Sequence, residues 1–201
     1  MCYNPIRPEK KKRALRWRLR RLGPRPVVLC EDETDLLLFP PLRACWAKRG
    51  QPARVALTGT NARRVVFGTL NLRTGHRVFV VRPRQRGEDF RLFLQTLHSH
   101  YRGRPVVLLL DSDSAHTAGA SQQLAAQLGM ELLWLPLRCP ELNPLEALWR
   151  SGKQTICANR QYPTIEEVVE RFLVYLYWLS PWEARRKAGL SSDHCWLKSS
   201  V

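Results

Sequence analysis

The stretch VVLLLDSDSAHTAGASQQLAAQLGMELLWLPLRCPELNPLEALW, residues 106–149, decides the fold of this chain. It begins with the wholly apolar run Val106–Leu110, as expected for a strand buried on both faces of a sheet. A predicted helix at residues 118–128 ends at Gly129, and residues 131–137 return as a strand. A second helix closes the stretch. Several strands followed by alternating strands and helices predict an α/β fold, a mixed sheet with helices on both faces.

Carboxylates stand at both ends of this stretch and upstream of it. Asp111 follows the apolar strand directly, Glu146 lies near the start of the last helix, and 34 residues separate the two. Asp32 follows another apolar run, VVLC. Carboxylates are the hard oxygen ligands that Mg²⁺ prefers. Two ions about 4 Å apart can activate an attacking oxygen and stabilise a leaving oxygen in phosphodiester chemistry. These three acids are therefore candidate ligands of a divalent metal.

Two of the three acids have neighbours that compete for the same role. Asp32 lies in the acidic run EDET, and an acid at a strand end is often only a solvated turn residue. Asp111 opens the run DSDS, where it can instead cap the following turn. The competing acids are Glu31, Glu33 and Asp35 for the first position and Asp113 for the second. The pattern of residues leaves this choice open.

Glu146 also has a purely structural interpretation. Asn143, Pro144 and Glu146 match an N-cap, a proline at the first helical position and the acid of a capping box. Such a box would stabilise the helix without any catalysis. His116, five residues after Asp111, is interpreted either as a satisfied structural histidine or as a group that contacts substrate or orients a ligand.

The N-terminal segment is strongly basic. Residues 7–25 carry ten Lys or Arg against a single acid. The sequence EKKKRALRWRLRRL can be helical but offers little apolar surface, so residues 1–26 are predicted to be a basic arm or linker remnant that contacts phosphates. Lys153, two helical turns beyond Glu146, is a further candidate phosphate contact, and Trp149 between them is predicted to lie in the core. The candidate DNA-binding residues of the arm are Lys10, Lys11, Lys12, Arg13, Arg16, Arg18, Arg20 and Arg21.

The composition favours a polyanion as partner. The 201 residues include 33 Lys plus Arg against 17 Asp plus Glu, a formal net charge of +16. Nucleic acid is the commonest partner of so basic a chain, although charge alone does not distinguish DNA from RNA or from an anionic membrane surface. The N-terminus is unlike a secretory signal, and the longest apolar run, residues 172–179, is too short to cross a bilayer. The six cysteines form no CxxC pair and are typical of free thiols, so we expect a cytoplasmic, nucleoid-associated protein without a membrane partner.

Short runs rich in β-branched residues precede the deciding stretch. The predicted strands are residues 54–60, 64–70 and 77–81, and residues 71–75 are a predicted hairpin turn. A helix with an apolar stripe follows, formed by Phe90, Phe93, Leu94, Leu97 and Tyr101. A last long helix is predicted over residues 165–176, with Thr164 as its N-cap.

Three blocks of the sequence resemble those of DDE transposases in the insertion-sequence branch of the mariner superfamily. They are CEDETDLLLFPPLRACWAKRGQPARV, VVLLLDSDSAHT and LPLRCPELNPLEALWRSGK. The matching positions are Asp32, Glu33, Trp46 and Gly50 in the first block, Asp111 and His116 in the second, and Pro140, Leu142, Asn143, Pro144, Glu146, Trp149 and Lys153 in the third. The interval of 34 residues between the last two acids also matches, and the third block is the most specific of the three.

This resemblance implies a ribonuclease H-like domain, which we place at residues 27–180, followed by a C-terminal tail at 181–201. It implies that Asp32, Asp111 and Glu146 bind Mg²⁺, with Mn²⁺ as a substitute, and that His116, Asn143 and Trp149 support them. The reaction implied is hydrolysis at transposon ends, followed by attack of the freed 3′-hydroxyl on target DNA. A homodimer is expected, because two transposon ends must be brought together.

The sequence departs from the family pattern in two places. Ser112 replaces the usual asparagine after the second acid, which affects positioning around Asp111. About 26 residues precede the domain, where the family normally carries a helix-turn-helix region, so association with a separate helix-turn-helix half is the alternative to a homodimer. The alternative function is a catalytically silent, truncated DNA-binding or assembly fragment. A hydrolase acting on RNA–DNA hybrid fits the fold expected, but not the third block.

Overall fold

The computed structural model describes residues 8–57 and 59–197, and a single mixed sheet forms its centre. The strands are β1 (Val27–Leu37), β2 (Arg63–Asn71), β3 (Arg77–Arg82), β4 (Val106–Leu110) and β5 (Met130–Trp134). Their spatial order is β3-β2-β1-β4-β5. Strand β1 pairs with β4, and β4 with β5, in parallel, whereas the β1–β2 and β2–β3 pairs are antiparallel. The predicted mixed sheet is confirmed.

Among the described residues, seven α-helices cover the sheet. They are α1 (Pro8–Arg20), α2 (Gly87–His100), α3 (Ser114–Thr117), α4 (Gly119–Gln127), α5 (Pro144–Gly152), α6 (Ile165–Trp178) and α7 (Pro181–Lys187). A 3₁₀ turn at Pro140–Leu142 precedes α5, and a π-helical turn at Lys153–Cys157 follows it. Since side chains alternate along a strand, the sheet has two apolar faces. Residues of α2 and α4 pack on one face, and residues of α1, α5, α6 and α7 pack on the other.

The hairpin between β2 and β3 forms where the sequence predicts it. The Asn71 side-chain oxygen accepts hydrogen bonds from the backbone nitrogens of Arg73 and Thr74, at 2.9 and 3.0 Å. Gly75 has a φ of +77°, a conformation that favours glycine. Thr164 also caps α6 as predicted, because its side chain accepts a hydrogen bond from the backbone of Glu167.

The basic N-terminal segment is part of the folded domain from Pro8 onward. Leu15 and Leu19 of α1 are buried in the core, which corrects the expectation that this segment has little apolar surface to bury. The Arg18 guanidinium binds Glu131 of β5 through two hydrogen bonds of 2.8 and 2.6 Å. The part of the predicted arm at residues 1–7 lies outside the described residues. Within the described residues, the arm is a docked helix and not a solvated tail.

The predicted C-terminal tail also packs on the domain. Ala184 of α7 and Leu197 are fully buried. Arg77 of β3 donates a 2.7 Å hydrogen bond to the Leu179 carbonyl oxygen, and Trp196 donates one of 2.9 Å to the Leu142 carbonyl oxygen. Residues 181–197 are therefore a structural part of the domain, because their apolar side chains complete its core. The last four residues, 198–201, lie outside the described part.

The predicted strand at residues 54–60 is wrong for its described residues, 54–57 and 59–60, which form no strand. They belong to a long connection between β1 and β2, in which Trp46 is fully exposed. A β-rich composition does not make a strand without a neighbouring edge to pair with. Strand β5 is shorter than predicted, ending at Trp134 before Pro136, which lacks the backbone donor of a sheet.

In residues 8–57 and 59–197, no helix is both long enough and apolar enough to cross a membrane.

Candidate metal centre

The strand register brings the first two candidate acids together. Cys30 of β1 is the partner of Leu109 of β4 in the parallel ladder. Asp32 lies two residues beyond Cys30 on β1, and Asp111 lies two residues beyond Leu109, directly after the end of β4, so both acids lie at the same edge of the sheet. Asp32, Asp111 and Glu146 line one cleft of about 210 Å³.

Glu146 reaches this cleft because of how α5 begins. The side-chain oxygen of Asn143 accepts a hydrogen bond from the Leu145 backbone, which caps the helix as predicted. The side-chain nitrogen of Asn143 donates a 2.8 Å hydrogen bond to the backbone oxygen of Glu31 in β1. Asn143 therefore both starts α5 and fixes it to the strand that carries Asp32. The N-cap is confirmed, but the backbone nitrogen of Asn143 donates to the Pro140 carbonyl oxygen, so Glu146 is not the acid of a capping box and lines the cleft instead.

Asp32 is a carboxylate in an unfavourable environment. Burial and the nearby carboxylates of Glu146, Glu33 and Asp111 raise its pKa to about 8, although the hydrogen bond from Trp149 acts in the opposite direction. That bond runs from the Trp149 indole nitrogen to Asp32 Oδ2 over 2.9 Å. A cation beside Asp32 would offset the repulsion among these acids, as expected of a metal ligand.

Gly68 makes room for the indole that contacts Asp32. It is the partner of Asp32 across the β1–β2 ladder. A Cβ at Gly68 would lie 2.7 Å from Cζ2 of Trp149 and 2.9 Å from Cδ1 of Phe79, which is closer than carbon atoms pack. The Trp149 ring can lie against the sheet only because this position has no side chain. Sequence reasoning missed Gly68, although an isolated glycine in an apolar strand is a signal of close approach.

Asp111 is held from two directions although its side chain is 61% exposed. Its Oδ1 accepts hydrogen bonds from His116 Nδ1 and from the backbone nitrogen of Asp113, each 3.0 Å long. The bond to His116 and the bond from Asp113 hold the pKa of Asp111 below its usual value, so the carboxylate is ionised at neutral pH. Asp113 caps α3 through its own side chain, which accepts from the Ala115 backbone at 2.8 Å.

His116 lies in a buried cluster of acids on the other face of β1. Its Nε2 is 2.9 Å from Oε1 of Glu33 and 3.7 Å from Oε2 of Glu31. Burial favours the neutral ring, but Glu31, Asp111 and Glu33 outweigh it and raise the His116 pKa to about 12. The ring is therefore an imidazolium at neutral pH, and both of its nitrogens donate.

The structure separates Asp32 from the acids that compete with it in the sequence. Glu31 and Glu33 surround His116, where the ligand atoms of these three residues lie within 4.8 Å of one another. Asp35 forms an ion pair of 2.8 Å with Arg63. Asp32 alone of the four lines the cleft with Asp111 and Glu146. This distinction follows from strand alternation, which places neighbouring residues on opposite faces.

The candidate DNA-binding residues do not all lie together. Lys153 lines a separate hollow with Asp35 and Phe39, and not the cleft of Glu146. Lys11 donates a 2.9 Å hydrogen bond to the carbonyl oxygen of Leu135, a residue of the cleft wall. Helix α1 therefore runs beside the cleft. Its exposed basic residues are Lys10, Arg13 and Arg20, and Arg21 follows it.

The raised pKa of Asp32 predicts pH-dependent metal binding. A metal requires the ionised carboxylate and must displace the proton, which is bound below pH 8. The apparent affinity for Mn²⁺ should therefore rise by up to about tenfold per pH unit from about pH 6 to 8 and level off above. Electron paramagnetic resonance of Mn²⁺ added to the intact chain measures this. A Mn²⁺ affinity that does not change over this pH range would contradict the prediction that Asp32 is a metal ligand.

Comparison with known proteins agrees with this architecture. The family described as DDE superfamily endonuclease matches residues 27–169. The insertion element IS630 uncharacterized 39 kDa protein of Shigella sonnei is 28% identical over 156 residues, which cover 77% of this chain and 46% of that protein. The chain thus spans less than half the length of this curated relative.

Two solved structures share the fold. The Mos1 transposase paired-end complex with left transposon end superimposes with a TM-score of 0.73 at 18% identity, covering 100% of this chain and 63% of that one. The Mos1 transposase catalytic domain with Raltegravir and Mg superimposes with a TM-score of 0.66 at 15% identity, covering 100% of this chain and 96% of that domain. At this level of identity, the likeness shows a common fold.

The mixed sheet and its flanking helices define the class of ribonuclease H-like domains. Within that class, the chain belongs to the DDE superfamily endonucleases, whose family model matches residues 27–169.

Proposed function

We propose that this chain cleaves DNA strands at transposon ends and joins the freed 3′-hydroxyl to target DNA, with Mg²⁺ or Mn²⁺ as cofactor. The observation that carries the proposal is the convergence of Asp32, Asp111 and Glu146 on one cleft at the sheet edge. These three acids would hold the metal. When bound, divalent ions supply Lewis-acid stabilisation to the attacking and leaving oxygens of a phosphodiester.

The donor set fits such a cation. All three groups are carboxylates, the ligand type that Mg²⁺ and Mn²⁺ prefer. Burial and the repulsion from neighbouring carboxylates together raise the Asp32 pKa, and a bound cation would relieve both of these costs. The ionised Asp111 accepts a hydrogen bond from His116 through one of its two oxygens. Trp149 donates to one oxygen of Asp32, and Asn143 joins the start of the helix that carries Glu146 to β1. The residues of this chain thus position the carboxylates before any ligand binds.

The basic helix α1 would bind DNA beside the cleft. Its Leu15 and Leu19 side chains are buried, and Lys11 and Arg18 form hydrogen bonds to the domain, so the helix has a fixed position. Its exposed lysine and arginine side chains can then contact phosphates of a duplex whose scissile bond reaches the acids. Phosphate contacts of this kind give affinity and orientation but little choice of sequence.

A catalytically silent DNA-binding or assembly fragment is the second candidate function, because the docked basic helix α1 could bind DNA without any use of the cleft acids. In that case the chain would act only with a separate helix-turn-helix half or as part of a dimer. Its cleft acids would then contribute nothing measurable by themselves.

Nicking of supercoiled plasmid tests the choice between the two functions. We expect the intact chain to nick plasmid in Mg²⁺ or Mn²⁺ and to stop when EDTA is added. Asp111→Ala should bind DNA and stay folded without nicking. Asp35→Asn is the matched control, because this acid lies on the same strand as Asp32 but pairs with Arg63 outside the cleft. Equal nicking by the parent chain and Asp111→Ala, or none by either, would reject autonomous catalysis and favour the assembly fragment.

A further inference from the structure

We propose that Glu33 and His116 form a positioning relay, the Glu33–His116 relay, that fixes the orientation of Asp111 as a metal ligand. This inference rests on the proposed function, because it assumes that Asp111 binds the metal. It gives a role to two side chains that do not reach the cleft themselves. Neither would touch the metal or the DNA, so both are positioning residues.

The relay is a continuous chain of hydrogen bonds across a buried ring. His116 Nε2 lies 2.9 Å from Glu33 Oε1, and His116 Nδ1 lies 3.0 Å from Asp111 Oδ1. The His116 side chain is 1% exposed and that of Glu33 is 6% exposed, whereas that of Asp111 is 61% exposed. The exposed carboxylate of Asp111 is thus linked by hydrogen bonds, through the His116 ring, to the buried carboxylate of Glu33.

The His116 ring has little freedom to turn. It packs on Phe90 of α2 with ring centroids 4.4 Å apart. It stands on α3, a short helix capped by Asp113 and secured by a 2.7 Å hydrogen bond from Ser121 to the Ala115 backbone. Because the ring is fixed in this way, its hydrogen bond holds Asp111 in a defined position relative to β1. Residues outside the ligand shell of metal sites commonly act in this way: they hydrogen-bond to a ligand, fix its orientation and so raise the metal affinity.

The hydrogen bonds also select which oxygen of Asp111 is available. In the described contacts, both the His116 ring and the Asp113 backbone donate to Oδ1. Oδ2 is therefore the oxygen left for a cation. Without the ring, the exposed carboxylate would rotate about its side-chain bonds, and a bound metal would have to restrict that motion at the expense of affinity.

Two isosteric replacements separate the two halves of the relay. His116→Asn keeps a side-chain nitrogen near the place of Nδ1, facing Asp111, and loses the contact with Glu33. His116→Gln keeps a nitrogen near the place of Nε2, facing Glu33, and loses the contact with Asp111. Both are neutral and polar, so a loss of folding stability should affect them similarly. The relay predicts different metal affinities for the two.

The experiment measures the binding of Mn²⁺ to the intact chain, without DNA, by electron paramagnetic resonance. The melting temperature of each variant and the Mn²⁺ dependence of its plasmid nicking are measured beside it. We expect His116→Gln to weaken Mn²⁺ binding by roughly 10- to 100-fold, as for other outer residues of metal sites. His116→Asn and Glu33→Ala should weaken it less than His116→Gln does. Saturating Mn²⁺ should restore most of the nicking rate, because the relay changes affinity and not chemistry.

The outcomes separate this inference from the proposed function. Parent-like Mn²⁺ affinity in His116→Gln, or equal losses in the Asn and Gln variants that follow their melting temperatures, would overturn the relay alone. Failure of the parent chain to bind Mn²⁺, or undiminished binding by Asp111→Asn, would overturn the proposed function and the relay with it. Asp35→Asn again serves as the matched control.

Discussion

Replacement of Asp32 by asparagine should abolish strand cleavage and at the same time stabilise the metal-free protein. The variant removes one of three carboxylates, and loss of several kcal/mol of transition-state stabilisation corresponds to a rate reduction of roughly a thousandfold or more. The stabilisation has a separate cause. An acid whose pKa is about 8 in the fold, against an ordinary value of 3.8, is much harder to ionise in the folded chain than in the unfolded one.

The sign of this effect follows from proton binding. Between about pH 4 and pH 8 the folded state keeps a proton on Asp32 that the unfolded state has lost, so the free energy of unfolding falls as the pH rises through this range. Asparagine carries no charge and can still accept the hydrogen bond from Trp149. We expect Asp32→Asn to gain ~2–4 kcal/mol at neutral pH and to melt roughly 5–10 °C higher in EDTA.

Thermal unfolding in EDTA at pH 5, 7 and 8, with plasmid nicking in Mn²⁺, measures both effects. The gain in melting temperature should be larger at pH 7 than at pH 5. Asp35→Asn, whose acid has an arginine partner, should show neither the gain nor the loss of nicking. A lower melting temperature of Asp32→Asn at pH 7 would show that the charge is stabilised in the fold, contrary to our account.

Gly68→Ala should damage both stability and cleavage, although it adds one methyl group on a strand without an acid. The new Cβ would overlap the ring carbons of Trp149 and Phe79 and would force the indole away from Asp32. Overpacking of this kind costs about 1–3 kcal/mol, and loss of the hydrogen bond removes the fixed orientation of Asp32. We expect a nicking rate reduced by roughly 10- to 100-fold at subsaturating Mn²⁺.

Gly119→Ala is the matched control for Gly68→Ala. A Cβ at Gly119 meets no other group within 4 Å, and the residue lies at the start of α4. That variant should nick like the parent and melt at a similar or slightly higher temperature, because alanine favours helix. If Gly68→Ala behaves in the same way, the close contact between the strand and Trp149 has no functional importance.

The sequence predicted the parts of this fold that local chemistry determines. The apolar run before Asp111, the stripe of α2, the caps Asn143 and Thr164 and the hairpin at residues 71–75 all appear where their patterns indicate. The prediction of a strand at residues 54–60 was wrong because a strand must pair with a neighbouring strand, and the β-propensity of a segment does not indicate whether such a neighbour is present. Helix α1 was misjudged because two leucines suffice to dock it when the sheet supplies an apolar face.

The candidate site was predictable as a set of residue types but not as an arrangement. Choosing Asp32 over Glu31 and Glu33 from residues alone requires the strand phase, which only the paired sheet fixes. The relay through His116 depends on the position of α3 relative to β1. The close approach at Gly68 depends on the orientation of the Trp149 indole, which belongs to a helix distant in sequence. These are contacts between distant segments, so no pattern within one segment carries them.

Strand β1 uses adjacent residues for different tasks on opposite faces, with Asp32 at the cleft and Glu33 beside His116. This arrangement restricts how the protein can change over evolutionary time. Substitutions at either position alter one task and leave the other in place. An insertion or deletion of one residue between Cys30 and Asp32 would exchange the two faces, so Asp32 would leave the cleft and Glu33 would leave His116 at the same time. Length in this segment should therefore be under stronger selection than the identity of most side chains around it.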